Sequence, residues 1–167
     1  MRHIFISYSR IDSEVVGHIV TRLEQDGFNV WIDREEIKAG ELWQEAIVHC
    51  VNNAYAFVVM LSPSSATSDN VRKEVDVAEG ENKELVPVLL APVELPAKLR
   101  YQLAGIEWIE YYRDPDVKYG ELVEALQAHQ QKFFTRQMLK IPDVDQLITD
   151  NINISPFGSE KHEELLN

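Results

Sequence analysis

The chain has 167 residues, 45% of them apolar, enough for one domain with a full core plus a tail, and too few for two ample domains. A single cysteine, Cys50, excludes an internal disulfide framework, and no apolar run approaches the roughly 18 residues that a membrane-spanning helix needs. The 16 Lys and Arg are scattered among 28 Asp and Glu, and the net charge of -12 argues against nucleic acid, whose binders present a basic stripe.

Met1-Arg2-His3 passes straight into a strand, without the charged leader and apolar block of a secretory signal, so a cytoplasmic location is expected. His3 to Ser7 is a short run of β-formers bounded by polar residues, as a strand buried on both faces requires. Asp12-Ser13 supply N-cap chemistry for a first helix, in which Val15, Val16, Ile19, Val20 and Leu23 recur at helical spacing until Asp26-Gly27 breaks it. Phe28 to Asp33 reads as the second strand. Arg34 to Glu41 is charged, holds Gly40 and reads as a loop at that strand's carboxyl end.

Trp43, Ile47 and Val51 stand at i, i+4 and i+8 and give a second helix one apolar stripe. Ala56 to Leu61 is the most hydrophobic strand. Ser62-Pro63-Ser64-Ser65 closes it, and Ser68-Asp69-Asn70 caps a third helix from about Val71 to Gly80. Leu85 to Leu90 reads as a fourth strand whose Pro87 favours an edge-like or irregular position, with Pro92 and Pro96 keeping the next segment extended. Ile106 to Tyr111 alternates like a fifth strand, and Tyr119 to about Phe134 is helical through Leu122, Leu126 and His129. The period fades beyond Lys140, which divides the chain into a domain over 1–134 and a tail or linker over 135–167.

Strands alternating with helices predict a parallel sheet covered on both faces, with ligands outside the carboxyl ends of its strands. Those ends are Ser7 to Arg10, Asp33 to Gly40, Ser62 to Ser68, and the loop after Leu90. No G-x-G-x-x-G, G-x-x-x-x-G-K-[ST] or G-x-S-x-G run is present, which excludes the usual dinucleotide, P-loop and nucleophile-elbow sites. The five histidines lack metal-ligand spacing. A phospho-acceptor receiver needs carboxylates at the ends of its first and third strands to hold Mg²⁺, where this chain has Ser7-Tyr8 and Ser62-Pro63.

Five features, in order, carry a resemblance: Phe5-Ile6-Ser7-Tyr8-Ser9, Gly27 to Asp33, Gly40 with Trp43, Leu61-Ser62-Pro63, and Glu74 on the third helix. Over about Arg2 to Phe133 the chain resembles the TIR (Toll/interleukin-1 receptor) domain family, nearest to its bacterial branch. It departs from many members in having Val71-Arg72-Lys73 where they carry Trp or Cys before the helical glutamate. The resemblance implies a flavodoxin-like three-layer α/β fold with a five-stranded parallel sheet. It also implies one of two modes of action. Some members cleave NAD⁺ between ribose and nicotinamide, taking it as substrate with no cofactor, and are activated by self-association in bacterial defence or signalling. Others are adaptors that only assemble.

In the enzymatic members a glutamate on the third helix is catalytic, and the matching position is Glu74. At about 3.6 residues per turn Glu74 lies beside Val71, Val75 and Ala78 on the core-facing stripe, with Asn70 four residues before it. A carboxylate there is either a site residue or a boundary glutamate whose head reaches solvent or a distant cation. Tyr8, Ser9 and Arg10 after the first strand, Asp33 after the second and Trp43 are the candidate substrate contacts. Trp43 is either a stacking platform for a base or, with Ile47 and Val51, a core anchor. The loop from Asp33 to Gly40 either borders the site and mediates assembly or is solvated surface.

Overall fold

The computed structural model describes residues 2–32 and 43–139; the side chains of Trp43 and Gln44 fall outside that description. The strands are β1 (His3–Ser7), β2 (Val30–Ile32), β3 (Ala54–Leu61) and β4 (Leu85–Leu89), all parallel and ordered β2-β1-β3-β4. Every residue of β1 and β3 is buried, which is why Ile4 to Ile6 and Ala54 to Leu61 read as continuous apolar runs and not as alternating ones. Phe5 pairs with Trp31 on one side and Phe57 on the other, and the rings stack at 4.7 and 5.0 Å between centroids.

The helices are α1 (Ser13–Gln25), α2 (Trp43–Asn53), α3 (Pro63–Ala66), α4 (Asp69–Gly80), α5 (Ala97–Gln102) and α6 (Pro115–Met138), with a 3-10 turn at Arg10–Asp12. The period of two along β1 sorts its side chains between two cores. Ile4 and Ile6 meet Val16, Ile19 and Leu23 of α1 and Leu122 and Leu126 of α6. Phe5 joins Ile47 and Val51 of α2, Val71 and Val75 of α4, and Leu99 of α5. The result is the expected three-layer α/β arrangement. Two units divide the chain, Met1–Phe133 and Phe134–Asn167; the sheet belongs to the first, and of the second the structure describes residues 134–139.

Gly27 follows the end of α1 with φ +86°, and the Gly27 and Phe28 N–H groups donate to the Glu24 and Leu23 carbonyls, so two orphan carbonyls of the helix are satisfied. The start of α1 differs from expectation. Asp12 occupies the N-cap position without a side-chain cap bond, because its carboxylate accepts instead from the Ser62 hydroxyl at 2.6 Å.

The expected fifth strand shrinks to one bridge, Val88 with Ile109, so the described sheet has four strands. The Ile109 N–H donates to the Pro87 carbonyl and Leu89 donates to Ile109, but Pro87 has no N–H to extend that ladder. Pro96 also does more than keep the chain extended. It stands at the N-cap of α5, where a missing N–H costs nothing because the first helical amides have no intrahelical partner, and Leu99 and Leu103 are buried behind it. The expected loop over Arg34–Glu41 and the tail over Ile141–Asn167 lie outside the described residues.

Two outcomes follow from this packing. Phe57→Ala removes the ring at the centre of the stack and lowers the unfolding free energy by about 3–5 kcal/mol in a denaturant titration. His129, half-buried on α6, has its pKa lowered from 6.5 by burial, with the Glu84 charge opposing and Lys132 assisting. It stays neutral in the fold while the unfolded chain takes up a proton, so its share of stability is present above pH 6.5 and lost below it. His129→Gln should flatten the loss of unfolding free energy between about pH 7 and pH 5; an unchanged slope excludes His129 as its source.

Candidate active site

With β1 between β2 and β3, the chain leaves the carboxyl end of β1 toward one side and takes up β3 on the other. A parallel sheet opens its ligand crevice at such a switch point. Ser7 ends β1 there and Leu61 ends β3.

α4 brings a carboxylate to this place. Ser68 caps the helix, its hydroxyl accepting from the Val71 N–H at 3.4 Å. Val71, Val75 and Ala78 pack on the sheet and carry Glu74 with them, only 3% exposed. Along β1, Ser7 shares the face of Phe5, the one that α4 covers. Its hydroxyl donates to Glu74 Oε2 at 2.5 Å, the short separation of an O–H donor on a carboxylate.

A second serine works the neighbouring strand end. Ser62, directly after β3, forms a capping box with Ser65 at the start of α3 and donates its own hydroxyl proton to Asp12. That bond fastens the Arg10–Asp12 turn to the end of β3, while the Asp12 N–H donates to the Ser9 carbonyl at 2.8 Å.

Tyr8, Arg10, Ser68, Asn70 and Glu74, together with Ile6, line a cleft of about 40 Å³. Of the residues expected at the site, Glu74, Tyr8 and Arg10 are thus brought together. Ser9 is buried beside them and does not line the cleft. Asp33 lies outside the described residues, as does the side chain of Trp43, whose stripe partners Ile47 and Val51 are in the core. The sequence places Ser68 both on the rim of the crevice and at a helix cap, but gives Asn70 only a capping role and Ser7 no partner. Its place four residues before Glu74 was the available signal for Asn70, and a hydroxyl on an apolar strand face for Ser7.

The cleft pairs a buried carboxylate with an exposed guanidinium. At about 40 Å³ it has room for one small group, with a carboxylate and a guanidinium on its walls. A larger groove of about 900 Å³ lies at the amino-terminal end of β4, among Lys83, Leu85, Trp108, Glu124 and His129. It shares no residue with the cleft and sits at the end of the sheet where parallel folds do not place their chemistry. Among the described residues there is no group of three or more His, Cys, Asp or Glu placed to hold a metal ion, and no helix long and apolar enough to cross a membrane.

The family model described as TIR domain matches residues 4–129. The NAD(+) hydrolase SARM1 of Danio rerio is 30% identical over 131 residues, which are 69% of this chain and 18% of that protein. Toll-like receptor 1 of Homo sapiens is 28% identical over 125 residues, 67% of this chain and 16% of the receptor. The chain therefore spans less than a fifth of either relative. Among solved structures, the TIR domain of the Toll-related receptor TRR-2 from Hydra magnipapillata superposes with a TM-score of 0.64 at 21% identity, covering 76% of this chain and 99% of that one, a likeness of fold. The match over residues 4–129 takes in both strand ends, the turn with Arg10 and the helix with Glu74, and by it the chain belongs to the TIR domain family.

Proposed function

We propose that this domain cleaves NAD⁺ at the bond between nicotinamide and ribose, with Glu74 as its catalytic residue, releasing nicotinamide and ADP-ribose or a cyclic isomer. The observation that carries the reading is the buried Glu74 carboxylate lining one cleft with Arg10 and Tyr8. The likeness to a protein named an NAD(+) hydrolase supports it.

Breaking an N-glycosidic bond builds positive charge on the ribose. An ionised carboxylate in a water-poor cleft stabilises that charge far better than one in bulk water. Nicotinamide departs neutral with the electron pair of the broken C–N bond, so no general acid is required. Water then bonds to the ribose carbon and gives up a proton to yield ADP-ribose, or a nucleophile of the same molecule bonds to it to yield the cyclic isomer. One glutamate thus serves where ordinary glycosidases use a pair. The Arg10 guanidinium takes the pyrophosphate and the Tyr8 ring takes a base or ribose face. Copies of the domain cluster to reach the active state, in a defence or signalling role. The similarity to a Toll-like receptor favours a second reading, in which the domain only assembles with other TIR domains and Glu74 is a structural residue.

Incubation of concentrated or artificially clustered protein with NAD⁺, followed by chromatography of nicotinamide, separates the two. Glu74→Gln should lower release at least about 100-fold without loss of thermal stability. A wild-type protein silent at every concentration leaves the assembly reading, and full turnover in Glu74→Gln removes Glu74 from the mechanism. Arg10→Ala should raise KM about tenfold and change kcat less than about twofold, as expected of a group that binds ground and transition states alike.

A further inference from the structure

Position 7 belongs to an apolar face. Phe5 precedes it there, and Val71 and Val75 of α4 close over the same face. A serine at that place is 1% exposed, and a buried hydroxyl costs free energy unless it is hydrogen-bonded. Its partner comes from 67 residues along the chain: Glu74 Oε2, at 2.5 Å. An ionised carboxylate can only accept, so the proton of this bond is the serine's.

The placement joins two rigid elements. Ser7 is the last residue of the central strand, held by its register with Val59, and Glu74 lies in the middle of the twelve-residue helix α4. A glutamate has three side-chain torsions, which the helix backbone alone leaves open. A donor on the adjoining strand end favours one arrangement.

We propose that Ser7 is a positioning residue, whose hydroxyl holds the Glu74 carboxylate in one orientation at the cleft. Its catalytic consequence rests on the NAD⁺-cleavage reading. Ser7 does not line the cleft; it acts through Glu74.

The test uses Ser7→Ala and Ser7→Thr in the full chain. Loss of the hydroxyl should lower kcat about 10- to 100-fold with KM within about twofold. Threonine, which keeps the hydroxyl and suits a strand, should restore most of the activity. An active Ser7→Ala enzyme with unchanged kcat overturns the proposal. Denaturant unfolding of Ser7→Ala, Glu74→Ala and the double variant supplies a reading independent of turnover. Non-additive losses support the bond between the two residues, and additive ones overturn it whatever the activity. If the wild type is inert while the losses are non-additive, NAD⁺ cleavage falls and the hold of Ser7 on Glu74 stands.

Discussion

The burial of β1 and β3 side by side, covered on both faces, is the constraint on which the rest of the structure depends. Two neighbouring parallel strands without a solvated face must be apolar over most of their length, as β1 is from Ile4 to Ile6 and β3 from Ala54 to Leu61. Their connections then lie on either side of the sheet, so α1 and α6 pack on one face and α2, α4 and α5 on the other. With β1 at the point where the strand order reverses, the carboxyl ends of β1 and β3 become the two sides of one crevice. Nothing about a ligand is needed to place that crevice; the order of strands suffices.

At the carboxyl ends of β1 and β3 polar chemistry enters this apolar frame. Ser7 donates to Glu74 and Ser62 donates to Asp12, two hydroxyl-to-carboxylate bonds of 2.5 and 2.6 Å. Each joins a strand end to an element from a distant part of the chain. The first fixes a buried carboxylate on α4, and the second fastens the turn that bears Arg10 to the end of β3. A carboxylate carried into a core as part of an apolar helix stripe loses water on all sides, and a donor at hydrogen-bond distance offsets part of that cost. The catalytic reading of Glu74 and its structural reading thus share one geometry. The two differ only in whether the charge held there meets a substrate.

At the far edge of the sheet the balance is different. Pro87 occupies a position whose N–H a fifth strand would need, and the segment around Ile109 joins β4 through a single bridge. The opening left beside Leu85, Trp108 and His129 is large, but Lys83 and Glu84 on its lining already bond within the protein. Lys83 donates to the Asn52 and Ala54 carbonyls, and Lys132 pairs with Glu84. Size alone therefore does not make it the reacting cleft.

Much of this was legible from local pattern. The apolar runs of β1 and β3, the helical stripe of Val16, Ile19, Val20 and Leu23, the Gly27 stop and the cap at Ser68 all depend on residues within a few positions of one another. Backbone propensity and periodicity express such relations directly. Glu74 could be placed on a core-facing stripe for the same reason, and the set of strand ends that border the crevice followed from alternation of strand and helix. What the sequence could not determine was who meets whom. The bond of Ser7 to Glu74 spans 67 residues and that of Asp12 to Ser62 spans 50, so the expected helix cap at Asp12 gave way to a partner that exists only once β1 and β3 pair. The same holds for the fifth strand and for α5: a missing amide on one strand and a pair of leucines finding a core are decided by packing between distant segments, which no local period records.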